Sequence, residues 1–141
     1  MRPFDDIAAD FEFLDEWEDR YRYIIELGKE LPALPEEDHT EENRVHGCVS
    51  QVWLKTMPEG SGPDAVLHFA ADSDALIVRG LVAILLSMVE GRKAGEIMQE
   101  DIKGKLEALG LQEHLTQQRA NGLAAMIERL KAEARKVAQA A

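Results

Sequence analysis

Cys48 is the one cysteine of this chain, and it lies in the segment Asn43-Arg44-Val45-His46-Gly47-Cys48-Val49-Ser50-Gln51-Val52-Trp53. A single thiol forms no internal disulfide and no paired-cysteine redox centre, and alone it is far short of a cysteine metal site. Its chemistry is that of one nucleophile, or of one carrier of a group bound to sulfur. Gly47 removes a side chain from the approach to the thiol and permits unusual backbone angles. The segment therefore predicts a loop that presents a reactive sulfur to a bulky partner.

Two other roles for Cys48 stay open. A free cysteine is often a small, buried hydrophobic residue, although the glycine and polar residues around this one indicate a loop or a strand end. In an extended segment His46 lies on the same face as Cys48, and a Cys–His pair is the arrangement that activates a thiol. Arg44 and His46 would also favour the thiolate if they point towards it. A Cys–His hydrolase or transferase, and a binding module with an incidental cysteine, are therefore the alternative hypotheses.

Asp74 and Arg119 are the other two residues of interest. Asp72, Ser73 and Asp74 precede an apolar run, where oxygen side chains commonly cap a helix, and we expect at least one of them to do so. Arg119 is expected near the start of the last helix, where a surface role is the default. No metal-ligand spacing, phosphate-binding loop or serine-hydrolase elbow is present, so no metal site is expected.

The composition excludes several classes of protein. The chain has 141 residues with 45% hydrophobic content, which predicts a single globular domain over 1–141 that needs no disulfide or metal for stability. Acidic residues number 27 against 16 basic, for a formal charge of -11, which disfavours nucleic acid and favours a partner with basic patches. No export signal or membrane-spanning run is found, and a lone thiol suits a reducing compartment, so we expect a cytoplasmic protein. A monomer or weak homodimer is expected.

Hydrophobic periodicity predicts helices separated by a hairpin. The strands are predicted at residues 52–57 and 65–71, with a short third strand from Asn43 to Gly47. The predicted helices are one bent or two short helices over 4–27 that stop at Gly28, then 75–90, 94–99, 101–109 and a last helix that starts at Thr116. This order predicts an α+β fold in which a small antiparallel three-stranded sheet packs against helices.

Several segments, in this order, resemble the SufE family of sulfur-acceptor proteins in iron–sulfur cluster assembly. The segment around Cys48 is similar to the signature of that family, and the other matching segments extend over almost the whole chain. They are Trp17–Tyr21 with Ile24–Gly28, Leu31-Pro32-Ala33-Leu34-Pro35, Asp72–Ala75 with Ile77–Leu81, and the three short segments Leu109–Leu111, His114–Leu115 and Arg119–Leu123.

The resemblance implies a fold similar to SufE and to IscU-type scaffolds, and a specific function. A PLP-dependent cysteine desulfurase, SufS-like or CsdA-like, passes sulfur to Cys48 as a persulfide, and the carrier then delivers it to an Fe–S scaffold protein. The PLP belongs to the desulfurase, so no cofactor is expected in this chain. Asp74 and Arg119 match positions that the family implicates around the cysteine loop and in partner coupling. Sulfur transfer needs a loop that shields the persulfide between encounters and yet reaches into a partner's site, so we expect two positions of the Cys48 loop, one tucked and one extended.

Overall fold

The computed structural model describes residues 2–47 and 50–140. Cys48 and Val49 lie between these ranges, so the predicted position of the Cys48 loop falls outside the described residues. The described elements are α1 (Phe4–Phe13), α2 (Trp17–Lys29), β1 (Val52–Glu59), β2 (Val66–Ser73), α3 (Leu76–Ser87), β3 (Arg92–Lys93), α4 (Ala94–Gln99), α5 (Ile102–Ala108) and α6 (Gln117–Ala138), with short 3-10 helices at Glu36–Asp38 and Gln112–His114.

The three strands form one antiparallel sheet in the order β1-β2-β3. Alternation of side chains buries Val52 and Leu54 of β1 against the helices and turns Trp53 outwards. The predicted α+β class and three-stranded sheet are therefore confirmed.

The third strand differs from the prediction. Residues Arg92–Lys93 pair with β2, whereas the segment from Asn43 to Gly47 contributes a single bridge between Arg44 and Trp53 at the other edge. Next to this bridge, the amide of Val45 donates to Val52 O at 2.8 Å. The segment is extended as expected but too short to form a full ladder, because it turns away at Gly47, whose φ is +97°.

Helices α2 and α3 cross at two glycines. A Cβ added at Gly80 would overlap the carbonyl oxygen of Ile24, and one added at Gly28 would lie 2.8 Å from the amide nitrogen of Gly80. Gly28 is thus an internal residue of α2, which runs to Lys29. The prediction that Gly28 ends the helix is wrong, because the missing side chain serves close helix packing.

The apolar helix α3 lies at the centre of the molecule. Its buried residues run almost without interruption from Ile77 to Leu86, as its sequence predicted. The sheet and the other helices contribute the rest of one continuous core, including Phe11, Leu67, Ile97 and Met126.

A polar cluster around Glu100 links the elements of the C-terminal half to one another. The carboxylate of Glu100, which is 11% exposed, binds Arg92 and Lys105. Lys131 of α6 donates to the carbonyls of Ile97 and Met98, at the end of α4, and to that of Glu100. Burial lowers the pKa of Lys131. These bonds tie α6 to α4 by satisfying carbonyls that a helix end leaves free.

We expect Glu100→Gln to lower the free energy of unfolding by about 1.5–3 kcal/mol at neutral pH, since a hydrogen bond to a charged group is worth about that much. Hydrogen bonds from Lys105 and Arg92 hold the pKa of Glu100 below its ordinary value of 4.5. The stabilisation is therefore complete above the ordinary value and is lost as the pH falls through the lower, folded-state value.

Urea unfolding between pH 7 and pH 3, two conditions chosen to bracket the ordinary glutamate pKa, measures this effect. The difference between wild type and Glu100→Gln should be largest near neutrality and shrink in acid. Glu107→Gln, which removes an exposed carboxylate from α5, is the control and should show little change at any pH. A difference that does not vary with pH would contradict the assignment.

Candidate functional site

The segment that follows Cys48 is held by Asp74. The carboxylate of Asp74 accepts a hydrogen bond from the amide of Gln51 at 3.0 Å. The amide of Asp74 in turn donates to the carbonyl of Gln51 at 3.2 Å. Both bonds extend the β1–β2 pairing past Val52 and Ser73, and they join the downstream flank of Cys48 to the junction before α3.

The expected capping role of Asp72, Ser73 and Asp74 is not found. Helix α3 has Ala75 as its N-cap residue and no side-chain cap. Ser73 Oγ accepts from the amide of Ala75 at 3.3 Å, and Asp72 binds His39 at 2.8 Å and Arg79 at 3.3 Å. The sequence places oxygen side chains before the helix, but the two carboxylates bind other groups: Asp74 binds the amide of Gln51 at the end of the neighbouring strand, and Asp72 binds His39.

We expect Asp74→Ala to accelerate hydrogen exchange at the Gln51 amide about fivefold, because one lost hydrogen bond is worth about 1 kcal/mol. Asp74→Asn keeps a carbonyl acceptor and should exchange like the wild type. Exchange measured by NMR for the three proteins tests this anchor. Equal rates in the Ala variant and the wild type would show that the Asp74 side chain does not hold Gln51.

A cavity of about 220 Å³ lies beside the two described flanks of Cys48. Val45 lines it from the upstream flank, and Ser50 and Val52 line it from the downstream flank. Helices α3 and α6 supply the remaining wall, with Val78, Leu81, Val82, Thr116, Gln118, Arg119, Gly122, Leu123 and Met126. The walls are mainly aliphatic, and the polar members are more exposed than the aliphatic ones.

Arg119 reaches this cavity because of helical spacing. Arg119, Gly122 and Met126 follow one another at intervals of three and four residues and so share one face of α6. Thr116 caps the helix by accepting a hydrogen bond from the amide of Arg119 at 3.2 Å, which confirms the predicted start. The half-buried Arg119 therefore brings a positive charge to a largely apolar cavity.

His46 has an acidic partner that the sequence did not reveal. Its Nε2 lies 2.8 Å from Glu41 Oε1, with 71% of the histidine side chain and 77% of the glutamate side chain exposed. Arg44, the other predicted activator of the thiol, has its Nε buried without a hydrogen-bond partner among the described residues. Glu41 could not be chosen from sequence because the intervening turn decides which of five nearby carboxylates meets the ring.

Two other histidines bind carboxylates outside the cavity. The hydrogen bond that His39 makes to Asp72 raises the pKa of His39, and the one that His68 makes to Glu90 raises the pKa of His68. His68 also lies 2.9 Å from Glu59, consistent with the structural role that was expected for it. Within residues 2–47 and 50–140, no group of three or more His, Cys, Asp or Glu side chains could hold a metal ion.

The site therefore consists of two fixed flanks and a cavity. The structure brings Asp74 to the downstream flank and Arg119 to the cavity wall, and it places His46 on the exposed upstream flank. Cys48 itself, the predicted nucleophile, lies outside the described residues. The described part defines a class of α+β proteins in which the segment that leads to the single cysteine lies between the edge of the sheet at β1 and a long C-terminal helix.

Comparison with known proteins identifies the family. Residues 5–134 match the SufE family, described as an Fe-S metabolism associated domain. An uncharacterized SufE-like protein of Rhizobium meliloti (strain 1021) is 56% identical over 134 residues, covering 95% of this chain and 96% of the relative. A second one, from Rhizobium etli, is 52% identical over 135 residues and covers 96% and 91%.

A solved structure shows the same fold. The solution structure of a hypothetical protein from Thermus thermophilus superimposes with a TM-score of 0.74 at 25% identity, covering 97% of this chain and 98% of that one. The chain thus belongs to the SufE family, whose domain is associated with Fe–S metabolism, as its motifs indicated. Among the helices that the structure describes, none is both long enough and apolar enough to cross a bilayer.

Proposed function

We propose that this protein is a sulfur acceptor and carrier. It takes persulfide sulfur from a PLP-dependent cysteine desulfurase, SufS-like or CsdA-like, onto Cys48, stimulates that enzyme, and delivers the sulfur to an Fe–S scaffold protein. It is an accessory sulfurtransferase and not a stand-alone enzyme. The observation that carries the proposal is that, in a SufE-family chain with one cysteine, the described residues on both sides of that cysteine in sequence line a cavity with an arginine in its wall.

The transfer needs one thiol on each protein. The Cys48 thiolate attacks the terminal sulfur of the desulfurase persulfide, a sulfur–sulfur bond forms to Cys48, and the bond to the desulfurase cysteine breaks. The leaving desulfurase thiolate takes up a proton, and no external oxidant or reductant is consumed. A second cysteine nearby would resolve the new persulfide into a disulfide with release of sulfide, so the single cysteine of this chain suits a carrier.

The cavity and its arginine suit the product of this reaction. Cys48 follows Val45 by three residues and precedes Ser50 by two, so chain length alone keeps it within about 7 Å of Ser50, measured between Cα atoms. A persulfide is anionic near neutral pH, and a positive charge such as that of Arg119 stabilises an anion at the edge of an apolar space. We propose this as the role of Arg119, and coupling of the cysteine segment to the partner as that of Asp74.

The acidic surface bears on the choice of partner. The formal charge of -11 favours a desulfurase with basic patches around its active-site entrance. Association should then slow as the salt concentration rises, because exposed charges are screened beyond about 8 Å at physiological ionic strength.

Intact mass spectrometry tests the proposal. The protein is incubated with a cysteine desulfurase and free cysteine, and we expect it to gain the mass of one sulfur atom, lost again on reduction with dithiothreitol. Peptide mapping should place the added sulfur on the peptide that contains Cys48. A protein that stays at its original mass while the desulfurase carries a persulfide would refute sulfur acceptance.

One observation favours a second candidate, a Cys–His hydrolase or transferase. The Glu41–His46 pair supplies a carboxylate that could orient an imidazole, which is the third member such a site needs. Its high exposure argues against it, because an exposed ion pair contributes little to holding a catalytic geometry. A thioester or acyl adduct on Cys48, in place of added sulfur, would favour this candidate.

A further inference from the structure

Arg129 binds the backbone that leads to Cys48. From the middle of α6, its Nη1 donates to the carbonyl of Arg44 at 3.0 Å and its Nη2 donates to that of Glu42 at 2.8 Å. Its Nε donates to Glu133 at 2.8 Å, one turn further along the helix. The side chain is 25% exposed. The planar guanidinium holds its donors in a fixed fork, so it can donate to two carbonyls at once. A lysine cannot reproduce this geometry.

The two captured carbonyls belong to a segment whose other backbone groups face β1. Val45 N donates to Val52 O at 2.8 Å, and Asn43 O accepts from Leu54 N at 2.8 Å. Residues 43 and 45 therefore pair with the sheet, while the carbonyls of residues 42 and 44 point to α6. Arg129 satisfies the backbone carbonyls on the side of this short extended segment that none of the described strands covers.

The face of α6 that carries Arg129 also contacts Gly47, the residue before Cys48. Ala125 precedes Arg129 by one helical turn, and a Cβ added at Gly47 would lie 3.0 Å from the Cβ of Ala125. Contacts with α6 thus extend from residue 42 to residue 47. Arg129 does not line the cavity, so its contacts with this segment are separate from those of Arg119.

We infer that Arg129 is the positioning residue of the acceptor cysteine: it fixes the upstream flank of Cys48 on α6, as Asp74 fixes the downstream flank at the junction between β2 and α3. This inference rests on the proposed sulfur transfer. Because the transferring sulfur atoms must meet within bonding distance, a loosened flank lowers the fraction of complexes in which Cys48 is correctly placed. Arg129 acts through the backbone of residues 42–44 and needs no contact with the reacting atoms.

The test compares Arg129→Gln and Arg129→Lys with the wild type, and Arg135→Gln, an exposed arginine of the same helix, is the matched control. Hydrogen exchange of residues 42–47 is measured on the free protein. Single-turnover sulfur transfer from a persulfidated desulfurase is measured over a range of carrier concentrations, which separates the maximal rate from the half-saturating concentration.

For Arg129→Gln we expect faster exchange within residues 42–47 and a maximal transfer rate lowered about tenfold, since losing bonds to a charged donor is worth at least about 1.4 kcal/mol. The half-saturating concentration should be unchanged. Arg129→Lys, which restores one charged donor, should recover part of the rate, and Arg135→Gln should match the wild type. If Arg129→Gln fails to fold, Glu133→Gln is used instead. This variant weakens only the ion pair that orients the guanidinium of Arg129, so we expect the same changes in exchange and transfer rate, but smaller ones.

Three results would overturn the inference. They are a transfer rate equal to that of the wild type, a change confined to the half-saturating concentration, and a uniform rise of exchange over the whole chain with no extra rise at residues 42–47. If the wild type itself takes up no sulfur, the proposed function fails before any variant is compared, and the inference falls with it. If the wild type accepts sulfur and Arg129→Gln does so at the same rate, the inference about Arg129 is overturned and the proposed function stands.

Discussion

Cys48→Ser is expected to take up no sulfur from a desulfurase and to lose the stimulation of that enzyme completely. A serine hydroxyl forms no sulfur–sulfur bond and, unlike a thiol of pKa near 8.5, is not ionised to any useful extent near neutral pH. The chain holds one cysteine, so no second thiol can substitute for it. Intact mass after incubation with desulfurase and cysteine gives the first result, and the rate of alanine formation by the desulfurase gives the second.

His46→Ala is the control that separates the chemistries. Sulfur transfer needs no general base on the carrier when the thiol is ionised, and the exposed Glu41–His46 pair contributes little to the fold. We therefore expect sulfur uptake by His46→Ala within about twofold of the wild type, the range of a surface ion pair. A strong loss would favour the Cys–His hydrolase or transferase. Full stimulation of the desulfurase by Cys48→Ser would instead favour a binding module whose cysteine is incidental.

Gly80→Ala is expected to destabilise the protein by about 3 kcal/mol, which corresponds to a fall in Tm of roughly 10 °C for a domain of this size. Alanine in a helix is ordinarily about 1 kcal/mol more favourable than glycine, so the loss must come from packing. The added methyl group would overlap the carbonyl oxygen of Ile24, which is backbone and cannot rotate away. Helices α2 and α3 would have to separate along their whole contact.

Gly95→Ala is the matched control, because Gly95 also lies in a helix but a Cβ there would meet its nearest atom, Pro63 O, at 3.3 Å. We expect that variant to remain within about 1 kcal/mol of the wild type, as the gain in helix propensity offsets a slight shift of the loop. Urea unfolding and thermal melts followed by circular dichroism give both values. A Gly80→Ala protein as stable as the wild type would mean that α2 and α3 are not in close contact at this point.

The consequence of Gly80→Ala should reach the candidate site. Val78 and Leu81 flank Gly80 on α3 and line the cavity beside the Cys48 segment. Displacement of α3 would therefore change the cavity and the position of Asp74, which lies just before that helix. A folded Gly80→Ala protein is expected to show faster exchange at Gln51, in addition to its lower stability.

Elements whose signals are local were predictable from the sequence. Two runs of β-forming residues, 52–57 and 65–71, around a Gly/Pro loop predicted the hairpin, and Thr116 was predicted to start the last helix. Gly110, with a φ of +72°, directly follows the C-cap residue of α5, as a helix-terminating glycine does. The helix predicted to end at Gly91 ends earlier, at Ser87. Membership in the SufE family was also readable, because its motifs are short segments whose order does not depend on the structure.

Predictions failed at residues whose role depends on contacts with a segment distant in sequence. Gly28 was predicted as a helix end, but it is buried against Gly80 inside α2. Asp74 was expected among helix caps, yet its carboxylate binds the Gln51 amide, and the third strand is Arg92–Lys93 because that segment returns beside β2. A glycine can end a helix or allow two helices to pack closely, and an aspartate can cap a helix or bind a neighbouring strand. The adjacent residues in the sequence do not determine which of these roles occurs.

The sequence by itself determined which chemistry is available: one sulfur nucleophile, an acidic chain, and a glycine-containing segment of SufE type to carry the thiol. Only the tertiary structure decided what surrounds that segment. Arg129 and Asp74 lie far from each other in sequence. Asp74 meets the downstream flank of Cys48 because β2 pairs with β1, and Arg129 meets the upstream flank because α6 lies beside residues 42–44. Such contacts are set by the packing of whole elements, which depends on the complete core and not on any local pattern.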